Sequence, residues 1–249
     1  MTLFDLSGKT AIVTGANTGI GQGIAVALAQ AGADIVAVSR SDTAETEQAV
    51  KGAGRGFLHV AADLGTTAPI ADIVAQSLKR FGKIDILVNN AGTIRRADAL
   101  EFSEADWDAV IDVNLKSAFF LSQAVARTML GRDGKIINIA SMLSFQGGIR
   151  VASYTASKSG LAGITKLLAN EWAGKKINVN AIAPGYFETN NTEALRNDES
   201  RSRDILARIP AGRWGMPADL GGAAVFLSSA ASDYVHGAVI PVDGGWLAR

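Results

Sequence analysis

The sequence predicts an α/β protein built on a single doubly wound parallel sheet of about seven strands, with helices on both faces. Two observations carry this prediction. Short apolar runs rich in β-branched residues alternate with segments of helical periodicity from end to end. A glycine-rich segment, Gly15 to Gly21, follows the first run and precedes the first helical segment. A strand, a glycine loop and a helix in that order are typical of Rossmann-type sheets.

Seven short runs are the predicted strands, and each has the composition of a strand buried on both faces. They lie at 11–13, 35–38, 57–61, 84–88, 136–139, 179–182 and 239–242. Apolar residues at helical spacing predict helices at 20–31, 43–53, 67–81, 103–131, 153–173 and 217–229, with the fourth broken near Asn114. Because strands and helices alternate, we expect parallel strands joined by right-handed crossovers.

The chain is predicted to form one domain over residues 1–249, since it carries no linker, internal repeat or low-complexity tract. A polar, arginine-rich stretch at about 185–213 interrupts the pattern between the last two strands. An irregular insertion of this length is typical of a lid over a ligand site.

Composition excludes several classes of protein. Because 24 basic residues balance 24 acidic ones, we expect neither nucleic acid nor an anionic membrane surface as a partner. The absence of cysteine excludes disulfides and thiolate catalysis and favours the cytoplasm. With only two distant histidines, we also predict no metal site. The N-terminus lacks the apolar core of a secretory signal, and the uncharged stretch 10–33 is too polar and glycine-rich for a membrane span.

The glycine loop predicts a site for the pyrophosphate of a dinucleotide. Its glycines permit a tight turn, and the following helix offers free N–H groups and the positive end of its dipole. The residues concerned are Gly15, Asn17, Thr18, Gly19 and Gly21. Their spacing is G-x-x-x-G-x-G rather than G-x-G-x-x-G, so an ordinary tight turn stays an alternative.

The end of the second strand bears on the choice of dinucleotide. An acidic residue there would bind the 2′-hydroxyl of the adenosine ribose and favour NAD. This chain instead has Ser39, Arg40 and Ser41. Arg40 can pair with a 2′-phosphate, and the serines can add hydrogen bonds, which favours NADP(H). The alternative is that Arg40 is a solvated loop residue and that NAD(H) binds without an acidic partner.

Tyr154 and Lys158 predict an acid–base pair. At i, i+4 they share one face of a helix, and an ammonium group near the phenol would lower the tyrosine pKa. Ser141 closes the fifth strand, so its hydroxyl faces the same crevice. Asn114 stands at the break of the long helical stretch. Without Ser141 and Asn114, the alternative is that the tyrosine and the lysine are two neighbouring surface residues of a helix with no catalytic role.

Together these residues resemble the short-chain dehydrogenase/reductase family over nearly the whole chain. The matching motifs are Thr14-Gly15-x-x-x-Gly19-x-Gly21, Asp63, Asn89-Asn90-Ala91-Gly92, Asn114, Ser141, Tyr154-x-x-x-Lys158, Pro184-Gly185 and Asp243-Gly244-Gly245. The resemblance implies that Tyr154 is the acid/base, that Ser141 hydrogen-bonds the substrate oxygen, and that Lys158 holds the nicotinamide ribose and tunes Tyr154. It implies that Asn114 supports a water relay for the proton.

The resemblance also extends the predicted cofactor site and predicts an assembly. The added cofactor contacts are Ile20, Asp63, Leu64, Asn90, Ala91, Gly92, Tyr154, Lys158, Pro184, Gly185 and Thr189. The implied assembly is a homotetramer built partly on the helices at 114–131 and 153–173. We expect the outward faces of these helices to carry Phe119, Leu161 and Leu168.

Polar residues in the loops around the expected cleft predict a sugar-acid substrate. They are Arg96, Gln146, Arg150, Asn191 and Arg213. Arginine binds a carboxylate bidentately, and amides suit sugar hydroxyls. The alternative is that these arginines pair with acidic residues in the lid or at a subunit interface.

From about residue 85 onward the chain also resembles one branch of the family, which oxidises or reduces deoxy sugar acids such as 2-deoxy-D-gluconate in uronate breakdown. The stretches that match are NNAGTIRRADALEFSEADWD, NIASMLSFQGGIRVASYTASK, NVNAIAPGYFETNNTEALR, RIPAGRWG and VDGGWLAR. Gluconate 5-dehydrogenase, reductases of unsaturated-uronate-derived ketones and 3-oxoacyl reductases stay open as alternatives. A dinucleotide-sensing module without catalysis is the non-enzymatic alternative.

Overall fold

Seven strands form one parallel sheet in the computed structural model, which describes residues 3–248; the predicted domain ends at Met1, Thr2 and Arg249 lie outside the described residues. The strand order is β3-β2-β1-β4-β5-β6-β7. The strands are β1 (Thr10–Thr14), β2 (Asp34–Ser39), β3 (Phe57–Ala61), β4 (Ile86–Asn89), β5 (Gly134–Ile139), β6 (Ile177–Pro184) and β7 (Val239–Val242). The predicted doubly wound α/β fold is confirmed, and its order reverses between β1 and β4.

Helices cover both faces of the sheet. They are α1 (Gly19–Gln30), α2 (Ala44–Gly52), α3 (Ile70–Phe81), α4 (Glu104–Ile111), α5 (Ser117–Met129), α6 (Ala152–Trp172), α7 (Glu193–Asn197), α8 (Glu199–Arg208) and α9 (Gly221–Ser228). The predicted break near Asn114 is a π-helical turn, Asp112–Lys116, between α4 and α5. No helix within residues 3–248 is long and apolar enough to cross a membrane.

Two apolar layers hold the helices to the sheet. Successive residues of a strand point to opposite faces, so Val13 packs with α1 and α9 whereas Ile12 packs with α3, α5 and α6. Both side chains are fully buried. The carboxyl ends of the strands therefore meet at one edge, with β1 and β4 at the point where ligands bind in such sheets.

The predicted outward faces of the α5 and α6 region need correction. Leu161 and Leu168 are 1% and 2% exposed, since the stripe on which they lie packs inward. Phe119 is partly buried against the same core. The large apolar side chains that these two helices expose are Phe120, at 41%, and Leu167, at 48%. Each exposed apolar residue is thus a direct sequence neighbour of one that was predicted to be exposed.

The segment predicted as a lid contains α7 and α8, which the sequence did not predict. It packs around a small apolar cluster separate from the main layers. The buried members of this cluster are Met142, Ile205, Ile209, Trp214 and Trp246. Residues from the loop after β5, from the lid and from the C-terminal turn thus share one core, which places α8 over the carboxyl edge of the sheet.

Candidate active site

The loop between β1 and α1 is shaped by glycines and held by one asparagine. Gly15 and Gly19 have φ values of +64° and +57°, a region that L side chains rarely adopt. A Cβ atom at Gly21 would collide with the Gly15 carbonyl oxygen. Asn90 donates from Nδ2 to the Thr14 carbonyl oxygen at 2.8 Å and to that of Gly15 at 3.3 Å. The Asn90 amide is therefore engaged with the loop.

A cavity opens beside this loop, and we call it the central cavity. It runs from the first turn of α1 to the start of α6, and its wall includes Gly15, Thr18, Ser141, Tyr154 and Lys158. The N-cap residue of α1, Thr18, makes no side-chain capping bond. The first-turn amides are thus free to bind an anion such as a pyrophosphate.

A second cavity, the ribose-side cavity, adjoins the central one at the ends of β1 and β2. The Ser39 hydroxyl is buried; it donates to the Ser41 carbonyl oxygen at 2.6 Å and lies 3.1 Å from His59 Nε2. Arg40 is exposed, lines both cavities, and makes no ion pair within residues 3–248. A free guanidinium at this position is suited to a 2′-phosphate.

The structure brings all the predicted cofactor residues to the walls of these two cavities. They are Gly15, Asn17, Thr18, Gly19, Ile20, Gly21, Ser39, Arg40, Ser41, Asp63, Leu64, Asn90, Ala91, Gly92, Tyr154, Lys158, Pro184, Gly185 and Thr189. The glycine cradle, the free helix N-terminus and the unpaired Arg40 together fit a nicotinamide dinucleotide.

Ser141, Tyr154 and Lys158 meet on the wall of the central cavity. Tyr154 and Lys158 lie in the first turns of α6, as their spacing predicted. Lys158 is buried and donates from Nζ to the Ile139 carbonyl oxygen at 2.6 Å, and its nitrogen lies 5.6 Å from the centre of the Tyr154 ring. The Ser141 hydroxyl accepts from the Leu143 amide at 3.2 Å.

Burial governs the charge states of this pair. It raises the pKa of Tyr154 above its usual value, while the hydrogen bond from Ser141 and the charge of Arg96 act in the opposite direction. Burial also lowers the pKa of Lys158 to about 8. The net shift of the Tyr154 pKa is upward because desolvation prevails, and a lowering effect of the Lys158 ammonium stays a prediction. At neutral pH, Tyr154 therefore keeps a proton that it can donate.

Asn114 lies behind the cavity wall rather than on it. Its side chain is 1% exposed and brackets Thr93, accepting from the Thr93 amide at 2.8 Å and donating to the Thr93 carbonyl oxygen at 2.9 Å. It also donates to Ser157 Oγ at 3.2 Å, and that hydroxyl donates to the Tyr154 carbonyl oxygen at 2.8 Å. These contacts position the start of α6.

A third cavity, the outer cavity, lies beyond Ser141 and Tyr154 under the lid. Its volume of about 350 Å³ is at the small end of the range for small-molecule sites. Three predicted substrate residues, Arg96, Gln146 and Asn191, line it. Arg96 also donates to the Asn191 carbonyl oxygen at 3.3 Å, which joins the loop after β4 to the lid.

The other two predicted substrate residues lie outside the outer cavity. Arg150 pairs with Asp98 at 3.1 Å. Arg213 makes two hydrogen bonds to Asp219, at 2.6 and 2.9 Å. Both arginines therefore match the alternative reading, in which the guanidinium pairs with an acidic side chain.

The two arginines of the outer cavity that the sequence analysis missed are Arg201 and Arg208, both on α8. The signal was present, because residues seven apart share a face of a helix. The segment was predicted only as an irregular lid, so no face could be assigned. Among residues 3–248, no group of three or more His, Asp or Glu side chains is placed to hold a metal ion.

Comparison with known proteins places this geometry in a family. A family model described as enoyl-(acyl carrier protein) reductase matches residues 15–247. The 2-dehydro-3-deoxy-D-gluconate 5-dehydrogenase of Dickeya dadantii is 62% identical, over 100% of this chain and 99% of that protein.

Solved structures give the same assignment. A proposed 2-deoxy-D-gluconate 3-dehydrogenase from Agrobacterium tumefaciens with bound NADP is 60% identical, with a TM-score of 0.92 and full coverage of both chains. A gluconate 5-dehydrogenase from Burkholderia cenocepacia in complex with NADP and tartrate is 42% identical, with a TM-score of 0.94, over 99% of this chain and 98% of that one. The chain therefore belongs to the short-chain dehydrogenase/reductase family and is an NAD(P)-dependent oxidoreductase acting on CH–OH groups.

Proposed function

We propose that this enzyme interconverts a secondary alcohol and a ketone on a deoxy sugar acid, in the breakdown of uronates. The observation that carries the proposal is the outer cavity: it adjoins Tyr154 and Ser141, and its wall carries Arg96, Arg201 and Arg208 against a single acidic residue, Asp204. A cavity of this charge favours a carboxylate, and its neighbouring amides and hydroxyls suit sugar hydroxyl groups.

The residues around Tyr154 divide the proton chemistry among them. A bound nicotinamide dinucleotide supplies the hydride for reduction and accepts it in oxidation. Tyr154 donates its proton to the carbonyl oxygen in reduction and takes it back in oxidation, with Ser141 hydrogen-bonding the same oxygen. Lys158 holds the nicotinamide ribose and stabilises the phenolate. Asn114 keeps the start of α6 in place and supports the water relay that returns the proton to solvent.

NADP(H) is the proposed cofactor, with NAD(H) as the weaker alternative. Support comes from the free guanidinium of Arg40 at the ribose-side cavity and from the NADP bound in the two solved relatives. The whole chain acts as one dinucleotide-binding catalytic domain, with residues 185–213 as the lid over the substrate.

A substrate panel tests the proposed function. With NADP⁺ or NADPH present, we expect the highest kcat/KM for 2-dehydro-3-deoxy-D-gluconate or 2-deoxy-D-gluconate and their ketone partners. D-Gluconate is the second candidate, since the Burkholderia relative with bound tartrate is a gluconate 5-dehydrogenase. A 3-oxoacyl thioester leaves the arginines unpaired and is expected to be the poorest substrate. A preference for the thioester would contradict the proposal, and binding of the dinucleotide without turnover of any member would favour a sensing module.

The proposed assembly is a cytoplasmic homotetramer built partly on α5 and α6. Support comes from Phe120 and Leu167, apolar side chains that these helices expose, because exposed apolar surface favours association. We expect light scattering at micromolar concentration to give the mass of four chains. A monomeric mass would contradict the assembly.

A further inference from the structure

The far wall of the outer cavity is built by α8 and the C-terminal turn. Arg201 and Arg208 extend from α8 to this wall, together with Asp204 and Ile205. Their spacing places them on one face of the helix, two turns apart. Within residues 3–248 neither arginine has an ion-pair partner, so the charge at this end of the cavity is not neutralised by a direct contact.

Trp246 fixes the position of Arg208. The guanidinium carbon of Arg208 lies 4.0 Å from the centre of the Trp246 ring. That ring is 4% exposed, and its Nε1 donates to Gln146 Oε1 at 3.4 Å. Since a guanidinium stacked on an aromatic face keeps the N–H donors along its edge free, one indole orients both the arginine and the amide toward the cavity.

The arginines of the outer cavity lie on different elements of the fold. Arg96, in the loop after β4, acts on Tyr154, since its charge lowers the tyrosine pKa. Arg201 and Arg208 lie on α8 instead, and Arg208 stacks on Trp246 of the C-terminal turn. The cavity thus has a reacting end and a separate cationic end.

We propose that Arg208, assisted by Arg201, binds the substrate carboxylate at the cationic end, and that Trp246 is the positioning residue for Arg208. This rests on the proposed function and adds a rule of specificity to it. With the carboxylate held at α8, a carbon at the other end of the sugar chain meets Tyr154.

Kinetics on an acid and its neutral analogue test the arginines. Arg208→Met and Arg201→Met are compared on 2-dehydro-3-deoxy-D-gluconate and on its carboxamide. We expect Arg208→Met to raise KM for the acid by about tenfold or more with little change in kcat, and to leave KM for the carboxamide unchanged. Arg201→Met should act in the same direction. The control is Arg203→Met, an exposed arginine on α8 that lines none of the three cavities; it should change neither KM.

Variants of Trp246 separate positioning from general stability. Trp246→Phe keeps an aromatic face for the guanidinium, and Trp246→Leu removes it. We expect Trp246→Leu to lose discrimination between acid and carboxamide as Arg208→Met does, while Trp246→Phe retains most of it. Thermal unfolding of each variant shows whether the lid is folded. Equal increases of KM for acid and carboxamide in Arg208→Met, or no increase for either, would overturn the proposal.

Calorimetry tests the carboxylate subsite separately from the proposed function, because it measures binding without turnover. Tartrate, a small hydroxy dicarboxylate, is titrated into wild type, Arg208→Met and Arg203→Met, each saturated with NADP⁺. Weaker binding by Arg208→Met alone supports the carboxylate subsite even if no deoxy sugar acid is turned over, a result that would overturn the proposed function instead. Equal binding by all three proteins would overturn the subsite.

Discussion

Tyr154→Phe is expected to lower kcat by about 10²–10⁴-fold, the range typical for loss of a general acid–base group. The substitution keeps the partly buried ring that lies beside Lys158 and removes only the hydroxyl that carries the proton. Binding of NADPH should therefore stay close to that of wild type. Steady-state kinetics and fluorescence titration of the dinucleotide measure the two quantities separately.

The control for this variant is the same substitution at another tyrosine. Tyr234→Phe removes a hydroxyl from a fully exposed tyrosine and should leave kcat unchanged. A near-normal kcat for Tyr154→Phe would show that another group transfers the proton. A large loss of NADPH affinity would show that the hydroxyl supports the cofactor rather than the chemistry.

Arg40→Ala is expected to weaken the binding of NADPH by about tenfold or more and to leave the binding of NADH little changed. The guanidinium has no ion-pair partner within residues 3–248, so it is free to meet a 2′-phosphate. Charge-assisted hydrogen bonds contribute roughly 1.5–3 kcal/mol, and each 1.4 kcal/mol is about tenfold in affinity. Arg40→Lys should retain part of the effect, because it keeps the charge but loses the planar fork.

The measurement for Arg40 is kcat/KM with both dinucleotides. NADH serves as the internal control, since it lacks the 2′-phosphate. Ser39→Asp should shift the preference further toward NADH, because a carboxylate at the end of β2 repels the phosphate and can accept from a ribose hydroxyl. If wild type preferred NADH, and Arg40→Ala left kcat/KM for NADPH unchanged, Arg40 would be only a solvated loop residue.

The sequence predicted what local pattern and topology determine. Short β-branched runs predicted the strands. Ligands bind at the carboxyl ends of parallel strands, and this rule placed the glycine loop, Ser39–Ser41 and Ser141 at one edge of the sheet. The i, i+4 spacing of Tyr154 and Lys158 needed only the geometry of a helix. These inferences do not depend on which distant side chains meet.

The rest depended on tertiary partners. Arg150 and Arg213 form ion pairs with Asp98 and Asp219 outside the cavity. No local sequence pattern predicts such partners. The helix α8 is mostly polar and buries only Ile205, so its periodicity was weak and its arginines were left unassigned. The net direction of the Tyr154 pKa was missed because burial of a side chain is a property of the folded cavity.

Product analysis of one reaction tests the central claim most directly. Wild type and Tyr154→Phe are incubated with NADP⁺ and 2-dehydro-3-deoxy-D-gluconate or 2-deoxy-D-gluconate, and NADPH and the sugar products are quantified together. We predict that wild type forms one ketone per NADPH, at a single carbon remote from the carboxylate in the first substrate, and that Tyr154→Phe forms almost none. No NADPH from either acid, or equal formation by the two proteins, would contradict the assignment of this chain as a sugar-acid dehydrogenase acting through Tyr154.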